Sequence, residues 1–297
     1  MSRVAIKPVL QLVRLPNVFT AAADGLAGWL IVGGALDDLR GWLPIAGASM
    51  SLYAAGMALN DWFDLEVDRA ERPGRPLPSG AVPIGLAAAI GWGGLALGLA
   101  LASLAGPALV VAGLLAAAIV FYDAWAKQMW LGPWAMGACR GLNMLMGVVA
   151  ARRPESPAAW AGAFAFGLFV AGVTWISRSE AFGGGARNLK IGLWVQRAAV
   201  ALLGVVVLAI ADPLDCAASF LGVFVLAAVA FKVFAAGTRA LRSPSPERVQ
   251  KAVKTGVLSL VWLDVALVAA ACGPLPALAV AAFWPPAFLL ARRLYAT

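Results

Sequence analysis

The chain has 297 residues, 62% of them hydrophobic and only 13% charged, with a mean hydropathy of +0.85, a composition that places it in a bilayer and not in water. It contains no histidine, which excludes imidazole bases, His-bound zinc or haem, and the Ser-His-Asp device. The net charge of +8 is carried by loops between apolar runs, so nucleic acid is not the partner, and chemistry must rest on carboxylates, Lys, Arg, Tyr or a metal held by oxygen.

The basic start "MSRVAIKPVLQLVRLPNVF" lacks a short apolar core followed by a small-residue cleavage site, so no removable signal peptide is expected. Apolar runs broken by Pro, Gly and charge then predict helices near 17–36, 42–62, 82–104, 107–126, 133–151, 158–178, 190–211, 215–236, 250–271 and 276–292. The expectation is one all-α integral membrane domain over residues 1–297, with nine transmembrane helices and a tenth apolar C-terminal segment interrupted by Pro285 and Pro286. Gly94 and Gly98 in the third run have small-xxx-small spacing, which predicts close helix packing. Cys139, Cys216 and Cys272 show no CxxC spacing, so neither a disulfide framework nor a zinc site is indicated.

Counting Lys and Arg over alternate connections gives 18 on the N-terminal side and three (Arg40, Arg152, Arg153) on the other, with Arg140 and Arg197 inside spans. The positive-inside rule makes the N-terminal side cytoplasmic, and "LLARRLYAT" joins it if the number of spans is even. Both termini and the loops after the second, fourth and sixth spans are therefore expected in the cytoplasm.

One of those loops follows the second span and reads "LNDWFDLEVDRAERPGRPLPSG". On a helix Asp61, Asp64 and Asp68 fall at about 0, 300 and 700 degrees and share one face. Three like charges at a membrane boundary repel unless a hard divalent cation takes their oxygens. Magnesium leaves positions open for phosphate oxygens, so the cluster reads as a diphosphate-binding metal site. The plainer alternative is a solvated loop balanced by Arg69, Arg72 and Arg75. Arg178, Arg187 and Lys190 after the sixth span, with Arg72, Arg75 and Lys127, lie on the same side and can neutralise a diphosphate or simply enforce topology. Arg140 and Asn143 sit three apart on one face of a span, where a charge needs a partner. Asp24 and Asp264, also within spans, can supply one, and for Asp264 the structural bridge is preferred. Trp62, Trp125 and Trp175 stand beside these motifs and are candidates for lining a cavity.

The stretch "NDWFDLEVD" resembles the NDxxDxxxD signature of the UbiA superfamily of intramembrane prenyltransferases, and "ERPGRPLPSG" resembles the loop that follows it. Supporting resemblances are "RLPNVFTAAADGLAG" to the first span, "YDAWAK" to the Tyr and Lys after the fourth and "GACRGLNMLMG" to the fifth. The resemblance implies a UbiA-like bundle and magnesium-dependent transfer from a prenyl diphosphate to a small-molecule acceptor within the lipid bilayer. It implies metal ligation by Asn60, Asp61, Asp64, Asp68 and Glu180, the four acids being the catalytic set. It implies diphosphate binding by Asn17, Asn60, Arg72, Lys127, Arg140, Asn143, Arg178 and Lys190.

The second half departs from the family pattern. Where a DxxxD motif is usual, this chain has "TWISRSEAFGGGARNLKIG", with Ser177 about where the first aspartate would stand and Glu180 as the one carboxylate. The "SRSE" and Gly-rich variant, with the tenth apolar segment, resembles the EboC-like branch. That resemblance implies a bacterial inner membrane and an acceptor hydroxyl on a cyclitol or polyol, giving an ether. Two alternatives stay open, an aromatic quinone precursor as acceptor and a non-catalytic transport or export protein on the same scaffold.

Overall fold

A computed structural model describes residues 6–151, 155–181, 185–211 and 216–294. Among them the chain is helical throughout. The membrane-scale helices are preceded by a short α1 (Ile6–Leu12), which leads through Val13 and Arg14 into α2 (Leu15–Leu30). Then come α3 (Leu39–Phe63), a short α4 (Leu65–Glu71), α5 (Ile84–Ser103), α6 (Ala108–Ala124), α7 (Gly132–Ala150), α8 (Pro157–Ala181), α9 (Gly185–Ile210) and α10 (Cys216–Arg242). The last quarter is α11 (Pro246–Leu258), α12 (Leu260–Cys272), α13 (Pro274–Ala281) and α14 (Trp284–Leu294). Seven helical stretches are long and apolar enough to cross a membrane, with α11–α12 and α13–α14 each counting as one, and α6 is a shorter apolar helix.

Helix occupies each expected segment, but α2, α6 and α7 are not among the seven, so the expected nine transmembrane helices are not matched in number, and two segments are broken. The ninth is broken at Ser259, whose hydroxyl donates to the Thr255 carbonyl at 2.8 Å, a back-bond that competes with the helical ladder. The tenth is broken after Ala281, just ahead of Pro285 and Pro286, which carry no N–H to continue it. Arg152 and Arg153, two of the three cations expected on the outer side, lie outside the described residues.

The two largest of four core clusters among the described residues divide the bundle. One is built by α3, α5, α6 and α7; the larger joins α2 and α7 to α8, α9, α10, α12 and α13. Helix α12 is buried at Leu260, Val261 and from Leu263 to Ala270, with Trp262 exposed and Asp264 its one charged residue, the burial of a central helix. Helices α2 and α7 touch backbone to backbone. A Cβ on Gly28 would stand 2.0 Å from the Met144 carbonyl oxygen, and one on Gly147 would stand 2.0 Å from that of Gly25. The Gly94 and Gly98 pair works as expected, facing Ala55 and Leu52 of α3 at Cβ distances of 2.9 and 2.6 Å.

The α2–α7 crossing sets the distance between the helices that carry the buried polar residues. Gly147→Ala is accordingly expected to cost about 1–3 kcal/mol through overpacking. Gly113→Ala, on α6 with nothing within 4 Å of the added carbon, should be neutral or slightly stabilising. Thermal unfolding of the two variants in detergent, followed side by side, checks the contrast.

Candidate active site

The acidic segment folds as two helices and not one. Helix α3 ends at Phe63 and α4 begins at Leu65, with Asp64 between them at φ −87°, ψ 2°. The backbone bonds Asp64 N–H to the Asn60 carbonyl (3.1 Å) and Asp68 N–H to the Asp64 carbonyl (2.8 Å) carry the helical path across the joint. All three aspartates consequently stay on the inner side, with Asp61 and Asp68 buried and Asp64 half-buried. Glu66 and Glu71 are exposed.

Each aspartate meets a cation. Arg75 Nη1 lies 2.5 Å from Asp68 Oδ2 and 3.6 Å from Asp61 Oδ1, Arg14 Nη2 lies 3.9 Å from Asp61 Oδ1, and Lys127 Nζ lies 2.6 Å from Asp64 Oδ1. Lys127 follows α6 in a 3₁₀ turn, Ala126–Gln128, that swings it over the α3–α4 joint. The Arg178 guanidinium on α8 donates through Nη2 to the Lys127 carbonyl at 2.5 Å, fixing that turn from the far side.

All of these aspartates and cations except Asp61 line a cavity of about 640 Å³. One wall carries Asp64, Asp68, Arg72 and Arg75; the other carries Tyr122, Lys127, Thr174, Ser177 and Arg178. Arg14 also lines the cavity and borders a neighbouring one with Asp61 and Arg72. Its backbone is left-handed (φ 48°, ψ 52°), alone among the described non-glycine residues. An L-residue there costs roughly 1–2 kcal/mol, and such strain concentrates at functional positions.

Oxygen donors of this kind suit a hard divalent cation. Asp61 Oδ1 is buried with no hydrogen-bond partner, its two arginines standing beyond hydrogen-bonding distance. The carboxylates are nonetheless parcelled out among arginine and lysine: among the described residues no three acids converge on one point. The donor set fits magnesium in chemistry, with Arg75 and Lys127 occupying the oxygens that would turn to it.

Several expected residues stand elsewhere. Arg140 and Asn143 do not line this cavity. Arg140 Nη1 pairs with Asp24 Oδ2 at 2.6 Å and Nη2 donates to Thr20 Oγ1 at 2.6 Å, while Asn143 Nδ2 donates to the Ala21 carbonyl (2.8 Å) and to Asp24 Oδ2 (3.1 Å). Deep in a bilayer a guanidinium takes the nearest carboxylate, and Asp24 is one helix away. Asp264 adjoins Asp24 in the same fully buried cluster, but among the described residues it forms no ion pair with Arg140 or Arg197, so the structural bridge preferred for it is made by Asp24 instead.

Lys190 is exposed on α9 beside Arg187 and Trp194, away from the acids, because its helix face turns outward. Asn17 is likewise absent from the cavity lining; its N–H donates to the Arg14 carbonyl at 2.8 Å within the first turn of α2. Trp62, Trp125 and Trp175 do not line the cavity either, and Trp125 is exposed. Glu180 belongs to α8, but its side chain lies outside the described residues. Asn60, Arg72, Lys127 and Arg178 all line the cavity.

Asp123 escaped the sequence reading. It is 2% exposed, at the end of α6, and its Oδ1 accepts from Asn60 Nδ2 at 2.9 Å. The signal was present in "YDAWAK": an acid at the end of an apolar run, where ionisable groups are costly.

The family model for UbiA prenyltransferases matches residues 21–263. Over 118 residues the chain is 32% identical to digeranylgeranylglyceryl phosphate synthase of Metallosphaera sedula, covering 39% of this chain and 42% of that one. The alignment thus spans less than half the length of that relative. Among solved structures, one from a study of digeranylgeranylglyceryl phosphate synthase in membranes superposes with a TM-score of 0.67 at 24% identity, covering 90% of this chain and 98% of the other. A UbiA homolog from Archaeoglobus fulgidus bound to GPP and Mg2+ gives 0.58 at 16% identity, covering 88% and 99%. These two likenesses establish the fold.

Proposed function

Because the chain belongs to the UbiA prenyltransferase family, we propose that it moves an isoprenyl group from a prenyl diphosphate to a hydroxyl of a small polyol or cyclitol acceptor. The observation that carries the reading is the two-sided cavity, with carboxylates on the α3–α4 wall and Lys127 and Arg178 on the wall opposite. A diphosphate is the ligand that such walls suit, since it can share a cation with acids on one side and accept hydrogen bonds from cations on the other.

In this reading Asp61, Asp64 and Asp68 hold magnesium, Asn60 steadies the α3 end, and Glu180 is kept as a further candidate ligand. Magnesium, when bound, neutralises the oxygens of the diphosphate. Lys127, Arg72 and Arg178 bind the same diphosphate and stabilise the charge it gains as the bond from C1 to oxygen breaks, the electron pair leaving with the diphosphate. The acceptor oxygen gives a lone pair to C1, forming the ether, and its proton passes to the released diphosphate. Apolar residues beneath the cavity exclude water from the allylic centre.

The matched relative is a synthase of a glyceryl phosphate, and a glyceryl group is a polyol residue, which supports an oxygen nucleophile. The "SRSE" variant at 177–180 supports the EboC-like branch and with it a bacterial inner membrane. The basic excess on one side supports a cytoplasmic mouth.

The test is incubation of the full chain in lipid nanodiscs with a series of prenyl diphosphates and a cell extract. The expected result is pyrophosphate release and a new prenylated product, both abolished by EDTA and restored by Mg2+. Product formation that survives EDTA would remove the metal-assisted mechanism. Accumulation of a solute in vesicles with every donor intact would favour a transport role instead.

A further inference from the structure

Beneath the outer cavity lies an inner one of about 50 Å³, and the two share Met57, Tyr122 and Met136. Its lining is chiefly apolar, with Leu52, Leu115 and Ile119 among the side chains. Of the polar residues that interrupt that lining, three have a buried oxygen with no hydrogen-bond partner: Ser49 Oγ, Asp123 Oδ2 and Asn143 Oδ1. Ser49 is wholly buried, and Asp123 and Asn143 are 2% and 4% exposed. Buried polar atoms are paired in the great majority of cases, and each one left unpaired costs roughly 1–3 kcal/mol. Three around one small cavity point to a ligand.

The remaining atoms of these side chains are already engaged. Asp123 Oδ1 takes the Asn60 hydrogen bond, and Asn143 Nδ2 donates to the Ala21 carbonyl and Asp24. What Asp123 and Asn143 have left are acceptors, and Ser49 can act in either sense. An anionic group would therefore meet the Asp123 carboxylate. It would also find Arg140, the cation of this cavity, already paired with Asp24 and lying 5.2 Å from the Tyr53 ring centroid. A neutral hydroxyl can donate to Asp123 or Asn143 and still accept from Ser49. The volume admits about one or two water-sized groups, which fits a hydroxymethyl-sized end and excludes an aromatic acid.

We propose that the inner cavity seats a neutral hydroxyl-bearing group of the acceptor, oriented by Asp123, Asn143 and Ser49; the inference rests on the prenyl-transfer reading above. Through the shared wall of Met57, Tyr122 and Met136, an acceptor held there lies directly beneath the diphosphate walls, on the side from which C1 is approached.

The experiment gives the full chain in nanodiscs prenyl diphosphates, Mg2+ and one of two kinds of probe: the neutral polyols glycerol and myo-inositol, or the anionic aromatic 4-hydroxybenzoate. The expected result is a polyol ether identified by mass. Ser49→Ala and Asp123→Asn should each raise the KM for the polyol about tenfold, the loss of one buried hydrogen bond. Ser49→Ala should leave binding of an unreactive prenyl thiodiphosphate within twofold. Prenylation of 4-hydroxybenzoate with no polyol ether overturns the inference and leaves prenyl transfer standing. Unchanged polyol KM in both variants also overturns it and assigns the cavity to internal water. Donor that survives intact with Mg2+ and every acceptor overturns the transfer reading and this inference with it.

Discussion

Alanine at Asp64 is expected to lower prenyl transfer by about 10²- to 10³-fold, the scale on which removing one preorganised electrostatic partner acts. Asp64 is the acid best placed to matter. It sits at the joint of α3 and α4, lines the cavity, and meets Lys127 from the opposite wall at 2.6 Å. In the proposed mechanism its loss removes an oxygen that would hold magnesium, and it also releases Lys127 from its tether. The magnesium concentration giving half-maximal rate should therefore rise together with the fall in kcat. Glu66→Ala is the matched control, because Glu66 is exposed and among the described residues pairs only with Arg69 one turn away. An exposed helical pair contributes well under 1 kcal/mol, so its rate should stay within twofold. Equal rates in Asp64→Ala and Glu66→Ala would reduce the acidic segment to a solvated loop.

The second large effect is on stability. Asp24→Ala is expected to cost about 3–5 kcal/mol, because it leaves the Arg140 guanidinium buried without its carboxylate. Arg140 is 7% exposed and Asp24 is fully buried, and the pair bridges α2 and α7 at a contact of 2.6 Å. Asp264 borders the same cluster from α12, so the charge balance of three helices is disturbed together. The midpoint of thermal unfolding in detergent should fall clearly. The double variant Asp24→Ala, Arg140→Leu should recover much of it, because the stranded charge is gone. Failure of the double variant to recover would mean that packing, and not charge, holds this crossing.

How far the sequence reveals such features depends on how local their causes are. The membrane segments follow from apolar runs, and the Gly94 and Gly98 contact follows from a four-residue spacing; both causes lie within one helix. The acidic segment was legible for the same reason, since one helical face carries the three aspartates. Partners were legible only in part. Asp24 stood as one of two intramembrane acids for Arg140, 116 positions away, because a charge within a span needs a partner, but nothing in the sequence pointed Asn60 to Asp123, 63 positions away. Arg140 and Asn143 invited a role at the diphosphate because spacing shows a shared face but not what that face meets. The break at Ser259 was hidden because a single serine in an apolar run gives no warning that its hydroxyl will turn back on the ladder.

Gln11 of α1 donates from Nε2 to the carbonyl of Leu294 in α14 at 2.9 Å, across 283 positions. Helix α2 likewise packs on α12 and α14. During synthesis the first helices enter the membrane long before the last ones exist, so the surface of α2 that α12 and α14 will cover must wait exposed to lipid. Asp24 has Arg140 to pair with once α7 is made, but Asp264 arrives only near the end. Maturation of this bundle is thereby a matter of timing: the wall remains open until the final helices seat, and a chain halted before α12 would carry an unfinished flank into the membrane.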